Sequence, residues 1–182
     1  NLLLLDVGAD SGSTLALDKV TGKTVWKSGD DDAGYGSVAV ANIGGERMAI
    51  AFKAEAIVGY DLKSGTELWR SKWKTSWDVN ATTPIVHQDN VLITSGYSTG
   101  VTLLTVHGRS VSTKWKTKKL ASHFNSPVIW DGHIYGVDGN DGPKGELVCL
   151  ELAAGEERWR FKLGGGSLIC AAGILICLNE KG

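Results

Sequence analysis

A tryptophan that returns at a nearly constant interval constrains this chain more than any other feature. Trp26, Trp69, Trp115 and Trp159 are separated by 43, 46 and 44 residues. Eight residues before each stand Asp18, Asp61, His107 and Glu151, and four before each stand Gly22, Gly65, Val111 and Gly155. Three copies are well kept: Leu-Asp-Lys-Val-Thr-Gly-Lys-Thr-Val-Trp from Leu17, Tyr-Asp-Leu-Lys-Ser-Gly-Thr-Glu-Leu-Trp from Tyr60, and Leu-Glu-Leu-Ala-Ala-Gly-Glu-Glu-Arg-Trp from Leu150. The copy around His107 keeps only its Trp. Such a period marks an architecture whose units bury their faces against one another.

Each part of the motif has a physical task. An apolar strand ends at Asp18 or its equivalent, whose carboxylate can accept backbone N–H groups of the following turn. Gly supplies a left-handed position that a side chain would strain. The next strand carries the Trp, whose wide face needs a neighbour to cover it. The third copy breaks this scheme, because a β-branched Val111 is strongly disfavoured at positive φ. Its turn should therefore be built differently, on His107-Gly108.

A second signal runs at the same period. Asp89-Asn90, Asp131-Gly132 and Ala172-Gly173 each stand between two short apolar runs and announce hairpins, with a looser one at Gly44-Gly45. Each unit thus reads as four short strands. The runs are apolar on both faces, as expected for sheets packed between sheets. No segment has sustained helical periodicity. The fold class is all-β, a β-propeller fragment of about four blades, each a four-stranded antiparallel sheet. Residues 1–33 read as a blade lacking its first strand, 34–78, 79–121 and 122–164 as whole blades, and 165–182 as the start of a further one. The rest of the ring would come from missing chain or from a second copy.

The motif distinguishes among propellers of this period. A Trp-Asp repeat would end its third strands in Trp-Asp, whereas here Trp77-Asp78 stands before an inner strand. The order at Ala16 to Trp26, with small residue and Pro opening inner strands at Thr83-Pro84 and Ser126-Pro127, instead resembles the PQQ-like, or quinoprotein-like, repeat family. That family includes the outer-membrane assembly lipoprotein of the β-barrel machinery. The resemblance implies a protein of the bacterial cell envelope, periplasmic or associated with the outer membrane.

Composition bounds the partners. With 19 basic and 20 acidic residues, nothing favours nucleic acid or an anionic membrane surface. The lysines at 72, 74, 114, 116, 118 and 119 bracket Trp73 and Trp115 on outermost strands, where lysine blocks edge-to-edge pairing. No apolar run is long enough for a transmembrane helix, since Leu2 to Leu5 stops at Asp6. The first residues carry no initiator Met, basic segment or cleavage site, as in a mature form or an excerpt. Cys149, Cys170 and Cys177 form no CxxC pattern, and the four His have no metal-ligand spacing.

A site, if present, belongs on the loops that lead into the innermost strands and line one mouth of the channel. These loops present Tyr35, Trp77, Asp78, Asn80, His123 and Asn125 as candidates for binding a protein partner or small ligand. On this reading the protein is a non-catalytic scaffold without cofactor or metal. The family resemblance implies an alternative at Trp77-Asp78. Quinoprotein dehydrogenases that oxidise alcohols or sugars carry a Trp-Asp near an inner strand, with the Asp as base beside PQQ and calcium. Asp78 would then be the catalytic residue. The adjacent Cys-Cys and the calcium-binding acidic cluster of those enzymes have no counterpart here.

Overall fold

The computed structural model describes residues 1–140 and 142–182. All of its regular structure is β. The first sheet contains β1 (Leu2–Asp6), β2 (Thr14–Asp18) and β3 (Thr24–Ser28). The second is β4 (Ala39–Ile43), β5 (Glu46–Phe52), β6 (Ala56–Asp61) and β7 (Glu67–Lys72), and the third is β8 (Ile85–His87), β9 (Asn90–Ser95), β10 (Gly100–His107) and β11 (Ser110–Thr117). A fourth holds β12 (Val128–Trp130), β13 (His133–Asp138), β14 (Glu146–Glu151) and β15 (Glu157–Lys162); β16 (Gly166–Ala171) and β17 (Ile174–Asn179) pair beyond it. The named strands pair antiparallel with their sequence neighbours, one isolated parallel bridge joins Ser122 to Gly139, and successive sheets touch through β8 and β12, and through β12 and β16. This is an incomplete propeller.

The core lies between sheets rather than inside one. Along β5, Met48, Ile50 and Phe52 face the third sheet and pack with Val91, Ile93, Leu104 and Val106. The alternate residues Ala49 and Ala51 face the first sheet, beside Ala16, Trp26 and Tyr60. Leu92, Val101 and Leu103 turn the other way, to Ile134, Val148 and Leu150 of the fourth. Period-two alternation therefore persists, but both faces are apolar because both are covered. Each buried aliphatic side chain contributes roughly 1.5–3 kcal/mol.

The four tryptophans occupy one position, on β3, β7, β11 and β15. In every blade the strand pairing skips the residue before the Trp: Val25, Leu68, Lys114 and Arg158 are bulged out opposite the third strand. The worn third copy keeps this bulge although it has lost the rest of the motif. Each Trp faces Ala16, Gly59, Leu103 or Cys149 across the ladder.

Burial of the four differs from the uniform burial that the repeat suggests. Trp26 is 7% exposed and Trp69 3%, Trp115 is half-buried, and Trp159 is 43% exposed. The cause is the next blade. Trp26 Nε1 donates to the Leu62 carbonyl at 3.0 Å, and Trp115 Nε1 to the Leu152 carbonyl at 2.9 Å. Both rings lie so close to the following turn that a Cβ on Gly65 would come within 2.6 Å of Trp26, and one on Gly155 within 2.7 Å of Trp115. Beyond Trp159 only β16 and β17 are described, and they supply no such turn.

Turn chemistry follows the motif where the motif is intact. Asp18 Oδ1 accepts the amides of Val20 and Thr21, and Asp61 Oδ1 those of Lys63 and Ser64. Glu151, longer by one methylene, keeps the backbone turn but directs its carboxylate to Arg158 at 2.8 Å. In the third blade His107 pairs with Ser110 across a two-residue loop, with φ +57° at Gly108 and no positive φ at Val111. The β8–β9 hairpin turns on Gln88-Asp89, one residue earlier than the sequence suggests, since Asn90 pairs with His87. Gly44-Gly45 is a tight two-residue hairpin, not a loose one.

Candidate functional site

The loops at one end of the blades rest on a repeated anchor. In the first four sheets the second strand ends on an anchor: Asp6, Ser95 and Asp138 close β1, β9 and β13 and face Thr14, Gly100 and Glu146, and Lys53, the residue after β5, donates its amide to the Ala56 carbonyl. None belongs to the sequence motif, and their types differ, so no repeat signal revealed them. Each holds a neighbouring loop. Asp6 pairs with the fully buried Lys53 and accepts the Gly34 amide at 3.1 Å, while Lys53 also donates to Ser13 Oγ at 3.0 Å. Burial is the largest influence on Asp6 and raises its carboxyl above the ordinary value; the Lys53 hydrogen bond and charge pull the other way. Ser95 accepts from Trp73 Nε1 at 3.0 Å and donates to Asn80 Oδ1 at 2.6 Å. Asp138 accepts the Ala121 amide and Arg160 Nη1, both at 2.7 Å.

The sequence candidates divide between scaffold and surface. Asn80 is wholly buried: its amide nitrogen donates to the Lys53 and Ala54 carbonyls, both at 2.8 Å, so its side chain is structural. Its own carbonyl accepts the Tyr35 amide at 2.9 Å, which fixes the loop that displays Tyr35. Tyr35 is 72% exposed and Trp77 71%. His123 is buried, its ring 4.8 Å from Tyr97 and 3.8 Å from Phe124 between centroids. Asn125 lines a cavity of about 310 Å³ with Asn140, Ser167, Asn179 and Glu180. The geometry thus joins Tyr35 to Asn80 and His123 to its neighbours, whereas Trp77 and Asp78 stand on a separate exposed turn.

Two further aromatics at this end were not singled out from the sequence. Phe124 is 53% exposed, and Tyr97 is exposed on a turn at φ +54° with its amide bonded to Asn140 Oδ1 at 2.6 Å. An aromatic isolated among polar and glycine residues was the available signal for both.

Asp78 also has a left-handed backbone, at φ +54°. Its carboxylate is half-exposed, 3.8 Å from Lys74 Nζ, and Lys74 also bonds Glu55. Two carboxylates, of Asp78 and Glu55, converge here, but on the Lys74 ammonium group, whose positive charge opposes a cation. These residues do not fit a quinone–calcium site. Among the described residues, no group of three or more His, Cys, Asp or Glu is arranged to hold a metal.

Fold and mouth together define a quinoprotein-like propeller, built of four-stranded blades with loops carried on buried polar anchors. Residues 4–163 match the family described as outer membrane protein assembly factor BamB, and the chain belongs to that family. No curated protein sequence matches it. Among solved structures, BamB from Moraxella catarrhalis is similar over 100% of this chain and 58% of its own, at 16% identity and a TM-score of 0.68. The computationally designed Ika8 protein matches over 97% of this chain and 52% of its own, with 12% identity and TM-score 0.62. Quinohemoprotein alcohol dehydrogenase from Comamonas testosteroni covers 97% here and 37% of its own chain, with 15% identity and TM-score 0.54. These likenesses are of fold. The chain spans a little over half the length of the Moraxella protein. No helix of the described residues is long and apolar enough to cross a membrane.

Proposed function

We propose that this chain is part of a non-catalytic propeller scaffold that holds a protein partner at its mouth in the bacterial cell envelope, in the periplasm or at the outer membrane. Blades divide at 33/34, 78/79, 121/122 and 164/165, and the remainder of the ring comes from outside these residues, as further polypeptide or a second copy. One observation carries the reading: Tyr35, Trp77 and Phe124, each on a different loop between blades, hold large aromatic surfaces in water on loops pinned by buried hydrogen bonds. Exposed aromatic rings on a rigid support lose little entropy on docking and supply most of the energy of an interface. His123 and Asn80 position these loops, and Asn125 with the adjoining cavity offers a polar rim.

The test is site-specific photo-crosslinking in cells from positions 35, 77 and 124, with position 109 as control on the opposite end of the blades. Defined protein adducts from the three mouth positions and none from 109 are expected. Adducts from 109 alone would remove the mouth from consideration. Stoichiometric quinone binding with alcohol oxidation that disappears in Asp78→Asn would overturn the scaffold reading itself.

A further inference from the structure

The groove between the third and fourth blades, at the end opposite the mouth, is built unlike the corresponding groove between the first and second. It holds a cavity of about 470 Å³ lined by His87, Lys114, His133, Glu151 and Arg158 among others. Two of these side chains arrive by one device. Lys114 and Arg158 are the bulged residues before Trp115 and Trp159, and a bulge turns an otherwise paired residue aside from its strand. At the same position the first two blades carry Val25 and Leu68. The two imidazoles come from the 1–2 hairpins of adjacent blades, His87 closing β8 and His133 opening β13. The cavity between the first and second blades is lined instead by Leu2, Leu4, Val40, Arg47, Asp61 and Lys63 among others.

The charges in the groove do not cancel. Glu151 is the sole carboxylate of its lining and is already bonded to Arg158 Nη2 at 2.8 Å. A guanidinium has five N–H donors, so this contact orients Arg158 and leaves most of them available. Lys114 has no carboxylate partner among the described residues. His133 Nδ1 lies 2.7 Å from the Asp131 carbonyl, which can only accept; Nδ1 therefore donates, and Nε2 is the nitrogen left for the cavity. With neutral imidazoles the lining carries one net positive charge, and with both protonated it carries three.

We infer that this groove binds a phosphate-type oxyanion carried on a small organic group, with Lys114 and Arg158 as the charge partners and His87 and His133 as flanking donors, His133 donating from Nε2 in its imidazolium form. Donors from four side chains on two blades suit a tetrahedral anion with several oxygens better than a planar carboxylate, and charge-assisted hydrogen bonds of this kind are the strong ones. The volume exceeds what a bare phosphate fills, so the group it is attached to enters as well. A free phosphate ester and a phospholipid headgroup share this chemistry.

The experiment titrates the full chain with glycerol 1-phosphate while following the imidazole C–H resonances of all four histidines. Saturable shifts at His87 and His133, with His107 and His123 unmoved, are expected, and Lys114→Gln should weaken binding by about tenfold or more. Lys114 is exposed, so its replacement leaves the fold intact; Glu151→Gln, which removes the opposing charge, should tighten binding and serves as the second variant. Co-sedimentation with phosphatidylglycerol vesicles, against phosphatidylcholine vesicles, decides whether a headgroup is also taken. Vesicle binding lost in Lys114→Gln assigns a headgroup, and ester binding alone assigns a free ester. No saturable shift with either probe, or shifts unchanged in both variants, would overturn the inference.

Discussion

The turn after the third strand is built in two ways in neighbouring blades, and the difference shows what the repeated glycine does. In the second blade, Asp61 to Thr66 forms a wide turn, its carboxylate held by the Lys63 and Ser64 amides, with Gly65 at φ +73°. Trp26 of the preceding blade lies on that turn and bonds the Leu62 carbonyl. In the third blade a two-residue hairpin replaces the turn, and the preceding Trp69 finds no carbonyl there. Its indole donates to Met48 Sδ of its own blade at 3.3 Å, and its ring covers Gly59. Cross-blade bonding moves to Trp73, which reaches Ser95 and lies under Lys116, 4.2 Å from the ring centroid. Gly65 therefore serves the neighbouring blade as well as its own turn: it gives left-handed backbone and a flat seat for an indole.

The largest effect that can test this contrast is removal of the tryptophans themselves. Trp69→Ala should cost roughly 3–5 kcal/mol in equilibrium unfolding, because a buried aromatic leaves a cavity, whereas Trp159→Ala should cost about 1 kcal/mol or less. Equal losses would show that Trp159 is covered in solution, and would break the distinction between covered and uncovered rings.

A sharper version compares two glycines with nearly the same backbone. Gly22, at φ +70°, has open space around its would-be Cβ, whereas Gly65 has Trp26 there. Gly22→Ala should cost only the left-handed strain, about 1 kcal/mol. Gly65→Ala should add overpacking for a total of roughly 2–4 kcal/mol, and should shift Trp26 fluorescence. If the two alanines cost the same, the seat contributes nothing.

The smallest effect separates the two turn chemistries. Asp61→Ala should cost about 1 kcal/mol by losing the amide hydrogen bonds, while His107→Ala should stay within about 0.5 kcal/mol. The Ser64 hydroxyl and amide hold the Asp61 carboxyl below its ordinary value. A depressed carboxyl means that the native state binds fewer protons than the unfolded one. Its contribution is thus present above the unfolded value, about pH 4, and is lost as pH falls through the folded one. Urea midpoints between pH 6 and pH 3 should converge for wild type and Asp61→Ala; a constant gap would assign the effect to packing.

Much of the architecture was legible because it depends on local chemistry repeated at a fixed interval. The Trp period, the Asp-x-x-x-Gly turns and the two-residue hairpins each specify a backbone conformation wherever they occur, and Val111 alone required a different turn in the third blade. The mouth was legible only in part. Tyr35 and Trp77 stood out as aromatics outside the repeat, but Asn80 was equally conspicuous and is an internal strut. A polar side chain's role depends on whether carbonyls such as those of Lys53 and Ala54 come within reach, and those belong to another blade.

The sequence by itself determined the all-β repeat, the number of blades and, to within a residue, most of the places where the chain turns, since these follow from propensity and period within about ten residues of each feature. Tertiary structure alone decided which tryptophans are covered, which polar groups anchor the mouth, and which side chains meet in the groove behind it. The reason is the same in each case. Burial and charge partnership are properties of a pair of blades, and their members lie about forty residues apart in the chain, as Trp26 and Leu62 do.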